Sequence, residues 1–325
     1  MKNSFRNIFA AVALGVVTHV AQAQGGYPEK PIRFVLGTGA GSGADTVARL
    51  LADKMGPLLN GTFVIDNRPG AGGSIAAEAV ARAAPDGYTM LLGGYTTHVL
   101  LPTINSNLPY DPIKDFTPIG SAATASILVV ANNDFPANNL KELMALAKSK
   151  PGLQYASWGN GSTGHFCAEL LNQKRQLGME HIPYKTTSQI VTDVIGGHVQ
   201  LAYLDVASGA PMVKAGRAKA IGQCVSRNAV LPDVGSYEDE GIDVDGMKVS
   251  PPMQAFFFPA NTPKPIVDKV AAALKTVLEM PDVKARMLEM GNIAAFENGE
   301  TLKAHLISDA KAWKIIAERA NITAN

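Results

Sequence analysis

Two α/β lobes facing one another across a cleft is the fold this sequence predicts, and three observations predict it. Short apolar strands alternate with amphipathic helices in two separate stretches, the pattern of parallel sheets covered on both faces. About 300 residues follow a short leader, more than one hydrophobic core usually holds. Two glycine-rich turns, one in each stretch, each follow a strand and open a helix.

The leader is residues 1–23. Lys2 and Arg6 give a basic start, Ile8 to Val20 a mostly apolar stretch, and Ala21-Gln22-Ala23 a small-residue cleavage site, which together read as a secretory signal peptide. The apolar stretch is too short for a comfortable membrane span. The mature chain is therefore expected to start near Gln24, soluble and exported.

From there each element follows from its pattern. Ile32–Leu36 is an apolar strand. Residues 44–59 form a helix with Val47, Leu50, Leu51, Met55 and Leu58 on one face. A strand at 63–66, a helix at 74–83 and a strand at 89–93 complete a βαβαβ unit. The β-prone run 117–130 crosses to the second lobe. There the rhythm repeats: helix 140–148, strand 155–156, helix 164–177, strand 181–182, helix 188–195, strand 200–204, helix 206–215, strand 219–223. The run Met253–Phe258 is read as the return crossing. Thr262-Pro263-Lys264-Pro265 then opens a helix, cap before proline, and residues 300–320 form the last one. This pattern gives lobe 1 as residues 24–125 plus 225–325 and lobe 2 as the inserted 126–224.

Composition excludes several functions. The chain carries 29 Lys and Arg against 28 Asp and Glu, and 6% aromatic residues. Losing Lys2 and Arg6 with the leader makes it formally −1. Such a surface has no footprint for nucleic acid or an anionic membrane. Cys167 and Cys224 fit no metal spacing. Export permits a disulfide, but two small buried thiols are the plainer expectation. No metal or cofactor is expected.

The chemistry concentrates in the two glycine turns. The first is Gly37-Thr38-Gly39-Ala40-Gly41-Ser42-Gly43-Ala44-Asp45, and the second is Ser157-Trp158-Gly159-Asn160-Gly161-Ser162-Thr163-Gly164-His165. A glycine turn entering a helix leaves unpaired N–H groups aimed at one point, where the helix dipole adds partial positive charge. Two such cradles on different lobes suit a clamp on one anionic ligand. Ser42 and Ser162 lack a nucleophile elbow; they hydrogen-bond an anionic oxygen or cap their helices. Trp158 is either a stacking wall for an aromatic ligand or part of the hinge. Arg68, in a third glycine-rich turn, is expected to pair with a nearby acid. Gly39, Gly41 and Ala44 also satisfy G-x-G-x-x-A, with Asp66 ending the next strand as in a dinucleotide site. Export and the unexplained second turn count against a dehydrogenase.

An ordered set of motifs carries a family resemblance. It runs through Tyr27-Pro28-Glu29-Lys30-Pro31-Ile32, Asp66-Asn67-Arg68-Pro69-Gly70-Ala71-Gly72-Gly73, Pro85-Asp86-Gly87-Tyr88, Leu108-Pro109-Tyr110-Asp111-Pro112, Lys114-Asp115-Phe116-Thr117-Pro118, His181-Ile182-Pro183-Tyr184-Lys185 and Leu231-Pro232-Asp233. Together these resemble the Bug family, the extracytoplasmic solute receptors of tripartite tricarboxylate transporters. The resemblance implies a type II periplasmic-binding-protein fold, a periplasmic location, membrane transporter subunits as partners and a small carboxylate ligand, with the receptor itself a monomer. It places Thr38, Gly39, Gly41, Ser42 and Asp45 in the first ligand loop and Ser157, Trp158, Gly161, Ser162, Thr163 and His165 in the second. It also implies that Thr97 and His98 face the cleft from a loop and that Asp205 is an acidic contact at a strand end, where capping the next helix is the competing role. Family members usually carry a phenylalanine and prolines where this chain has Gly37 to Ala40. That departure is expected to widen the cleft for a flat ligand such as an aromatic mono- or dicarboxylate.

Overall fold

The computed structural model describes residues 26–323, apart from residues 185, 244, 245 and 247–249; the leader read at 1–23 lies outside the described residues. β1 (Ile32–Leu36), α1 (Gly43–Leu59), β2 (Phe63–Asn67), α2 (Ser74–Ala81) and β3 (Thr89–Gly94) build the first unit. β2 and β3 flank β1, both parallel to it. Strand alternation splits β1 between two cores: Ile32, Phe34 and Leu36 enter one and Val35 the other. A π-helical turn at Thr96–Leu100 then runs into α3 (Leu101–Ile104), so Thr97 and His98 are helical, not in the loop the sequence suggested.

β4 (Phe116–Thr124) belongs to the first sheet and β5 (Ile127–Ala131) to the second, so the chain crosses at Ala125–Ser126. There follow α4 (Leu140–Ser149), β6 (Gln154–Ser157), α5 (Thr163–Arg175), β7 (Glu180–Pro183), α6 (Thr187–Ile195), β8 (Leu201–Asp205), α7 (Val206–Lys214) and β9 (Lys219–Gln223). The chain closes with β10 (Met253–Pro259), α8 (Lys264–Glu279), α9 (Pro281–Glu289), β11 (Ile293–Ala294) and α10 (Gly299–Arg319). The sheet orders are β11-β4-β10-β3-β1-β2 and β7-β6-β8-β5-β9.

Two expectations are corrected here. Met253–Phe258 is not the return crossing: β10 lies inside the first sheet, antiparallel to β3 and β4. Phe256 and Phe258 enter one core and Phe257 the other, which is why the run is apolar throughout. The return is made ahead of Met253, where the Ala125 N–H donates to the Pro252 carbonyl at 2.8 Å. Cys167 and Cys224, expected as free thiols, form a disulfide with Cα atoms 5.8 Å apart. α5 and the end of β9 bury both residues in one core, which brings the sulfurs together.

α10 packs against β4, the turn at Thr96–Leu100 and α3 of the first sheet's layer and against α5 of the second's, so it ties the two together. Trp313 is fully buried; its indole N–H donates to the Tyr95 hydroxyl, and its ring meets Phe166 of α5 edge-on at 5.5 Å. Gln173 of α5 donates to the Ile316 carbonyl at 3.1 Å. No helix among the described residues is long and apolar enough to cross a membrane.

Candidate ligand cleft

The carboxyl ends of β1 and β3, the crossing strands and the first turn of α5 enclose a cavity of about 380 Å³. Leu36, Gly37, Thr38, Ala44, Gly72, Gly73 and residues 92–97 line it from the first sheet, and Ile127, Trp158, Thr163 and Asp205 from the second. Ala125, Pro252, Met253 and Gln254 form its hinge end. Thr38, Thr97, Trp158, Thr163 and Asp205, singled out in the sequence, thus line the cleft. Ser42, Asp45, His98, Ser157, Gly161, Ser162 and His165 do not line it, nor do the exposed Gly39 and Gly41.

These residues build the loops instead. Ser42 caps α1 by accepting from the Asp45 N–H at 3.2 Å and donates to Thr38 Oγ1 at 3.0 Å. The buried Asp45 carboxylate accepts from the Gly41 N–H at 2.9 Å, from Arg49 through both oxygens and from Asn67. Arg49 holds this carboxyl down to about 2. The loop is therefore curled around its own anion, so Asp45 is occupied and a phosphate in the dinucleotide position would meet a buried negative charge. Asp66 is engaged as well, accepting from Arg33 at 2.7 Å and Arg68 at 2.9 Å. What faces the cleft is the start of α1, where the Gly43 and Ala44 amides have no intrahelical partner.

The second loop is tied from below. Ser162 caps α5 through the His165 N–H and sits 3.0 Å from Ser157 Oγ, itself 2.7 Å from His181 Nε2. Gly161 donates its N–H to His165 Nδ1, so that nitrogen is an acceptor and the ring is neutral. His165 stacks on His181 at 3.9 Å, and burial holds their pKa values at about 3 and about 4. Gly164 is required by packing: a Cβ there would lie 2.8 Å from the Trp158 ring and 3.0 Å from the Tyr203 carbonyl. The indole therefore lies directly over the first turn of α5 and forms a wall of the cleft.

His98 does not face the cleft. Its ring is fully buried, stacked on Phe257 at 3.9 Å with Nδ1 2.8 Å from Thr97 Oγ1, and burial lowers its pKa to about 3. With folded values far below the ordinary 6.5, these three histidines favour the native state fully only above that value. Stability is lost as pH falls from about 6.5 toward the folded values of about 3 to 4, because the unfolded chain binds the protons first. The His98→Phe variant, which keeps the stack, should flatten that decline by about 1.4 kcal/mol per pH unit. Denaturant titrations at about pH 7 and about pH 5 check it; an unchanged slope would show that His98 charges within the fold.

Sequence reasoning missed Gly72, Gly73, Tyr95, Met253 and Gln254. The glycine tract at 70–73 was the available signal. A Cβ on Gly37 would lie 2.6 Å from the Gly73 Cα, so Gly37 serves a close backbone contact between two turns while lining the cleft. Asp205 does two things: it caps α7, accepting from the Ser208 N–H at 2.8 Å and hydroxyl at 3.0 Å, and it lines the cleft.

Two sheets joined by crossing strands, with helix N-termini from both sides turned toward one cleft, define a two-lobed periplasmic binding protein. Residues 47–322 match the tripartite tricarboxylate transporter family receptor. The chain belongs to this family, in agreement with the Bug resemblance of its motifs. It is 32% identical to a UPF0065 protein of Bordetella bronchiseptica over 97% of this chain and 92% of that protein. The structure of the periplasmic binding protein BugD superposes with a TM-score of 0.77 at 32% identity, covering 92% of this chain and all of that one. MatC of Rhodopseudomonas palustris, with bound malate, gives 0.75 at 30% identity over 89% and 99%. A further R. palustris protein, with adipate, gives 0.80 at 25% identity over 91% and 99%.

Proposed function

We propose that this protein is a monomeric periplasmic receptor, exported by its leader, that captures a small aromatic mono- or dicarboxylate and presents it to the membrane subunits of a tripartite tricarboxylate transporter. The observation that carries this is the pair of helix starts, α1 at Gly43 and α5 at Thr163, contributing Ala44 and Thr163 to the same cleft from opposite sheets. A carboxylate between them accepts N–H bonds from both, each contributing roughly 1.5–3 kcal/mol net as a charge-assisted bond. Trp158, Leu36, Leu92, Ile127 and Met253 supply apolar walls for a ring. The malate and adipate bound by two relatives support a carboxylate.

The lobes move about the paired crossings at Ala125–Ser126 and Pro252, with residues 26–125 and 253–323 carrying the first sheet and residues 126–223 the second. Because the two grips belong to different lobes, the ligand binds the closed form better than the open one, and that difference drives closure. No bond is made or broken.

A thermal-shift screen of the chain from Gln24 tests this, using aliphatic di- and tricarboxylates, amino acids, benzoates and phthalate isomers. A ligand at about 100 times its Kd adds about 2.7 kcal/mol. The account expects stabilisation by carboxylates and recovery of the stabilising compound unchanged after incubation. Chemical conversion would make the protein an enzyme, and no shift with any carboxylate would remove the reading.

A further inference from the structure

α10 carries a buried acid that does not line the cleft. Asp309 is 2% exposed, and its Oδ2 has no hydrogen-bond partner among the described residues. A buried carboxyl with half of its acceptors idle costs stability, so its contribution lies in what it holds in place.

The return crossing is the first thing it holds. Between residues 224 and 252 no strand or α-helix is formed among the described residues, so ties from outside set the path of this segment. Asp309 Oδ1 accepts the Ser250 N–H at 3.2 Å, two residues ahead of the Pro252 carbonyl that bonds Ala125. The same carboxyl faces the Tyr95 hydroxyl, which accepts from the Trp313 indole N–H. Tyr95 lines the cleft at the end of β3. Trp313 stands one helical turn beyond Asp309 on the same face of α10 and meets Phe166 of the second lobe. At its other end the return segment is gripped by backbone: a Cβ on Gly94, where φ is +140°, would lie 2.1 Å from the Met253 carbonyl oxygen. Residues 250–253 are therefore held between Asp309 and the Gly94–Tyr95 corner of the cleft.

We infer that Asp309 is a hinge-positioning residue. It locks the return crossing to α10 and to the cleft wall, so that the angle between the lobes and the position of Tyr95 change together. This rests on the proposed movement of the lobes.

Two measurements on the ligand-free chain from Gln24 test it: amide exchange followed by NMR, and pulsed EPR between spin labels at Asp53→Cys on α1 and Gln189→Cys on α6. Both label sites are exposed, and the native cysteines are paired. Asp309→Ala should speed exchange of the Ser250 amide at least about fivefold, the loss of one ordinary hydrogen bond, and should broaden the distribution of inter-lobe distances. Asp309→Asn, which keeps an acceptor, should restore both. Tyr95→Phe leaves the Ser250–Asp309 bond its own atoms, yet it should also speed Ser250 exchange and broaden the distribution, which a purely local bond would not do. If Asp309→Ala does not fold, Tyr95→Phe decides alone. Ser250 exchange at the wild-type rate in these variants, or an inter-lobe distribution that stays as in the wild type, overturns the inference and leaves closure on a carboxylate standing. A wild-type distribution unaltered by a carboxylate that stabilises the protein would refute the lobe movement itself, and the inference with it.

Discussion

Replacing both cysteines, Cys167→Ala with Cys224→Ala, should lower stability by about 4 kcal/mol and the unfolding temperature by on the order of 10 °C. The bond closes a loop of 57 residues, and the entropy it removes from the unfolded chain grows with the logarithm of that length. The loop spans α5 to the end of β9, so it staples the second sheet's strands to the helix that carries the ligand cradle. The Cys224 N–H donates to the Ile127 carbonyl beside the crossing, and the Tyr237 hydroxyl to the Cys167 carbonyl. Reductant added to the wild type should produce a fall of similar size in a melting experiment. A wild-type melting curve indifferent to reductant would show that the thiols are unpaired.

The second large effect is expected at Gly164. An alanine there sets its Cβ against the Trp158 ring and the Tyr203 carbonyl, and overpacking of this kind costs about 1–3 kcal/mol. The ring is the movable partner, so it leaves the first turn of α5 and the cleft loses a wall. Gly164→Ala should therefore lower both the unfolding temperature and the affinity for whichever carboxylate the screen identifies, affinity by about tenfold or more. In a Trp158→Ala background the same substitution should cost less, since half of the clash is gone. Additive costs in that double-mutant cycle would show that the ring and Gly164 do not touch.

The parts of the cleft legible in the sequence were those built from local signals. A strand, a glycine turn and a serine cap ahead of a helix are contiguous, and both cradles were readable from Gly37–Asp45 and Ser157–His165. The cap at Ser42 and the cap at Ser162 follow from residue type and position alone. What the sequence concealed depends on chain segments far apart. Gly37 is glycine because Gly73 packs on it, and Gln254 reaches the cleft because β10 inserts between β3 and β4. The apolar run Met253–Phe258 suits a crossing or a central strand equally, and only the sheet order decides. His98 was expected at the cleft because the resemblance places Thr97 and His98 in a cleft-facing loop; a π-helical turn rotates His98 into the core against Phe257. The disulfide was open because spacing alone says nothing about which helix lies over which strand.

Closure of two lobes on a carboxylate is the central claim, and small-angle X-ray scattering tests it most directly. The chain from Gln24 would be measured alone and saturated with a carboxylate that stabilises it. The account predicts a smaller radius of gyration with ligand, with the scattering moving to that of a more compact particle of unchanged mass. A saturated protein whose scattering is identical to that of the free one would show that the ligand does not draw the lobes together.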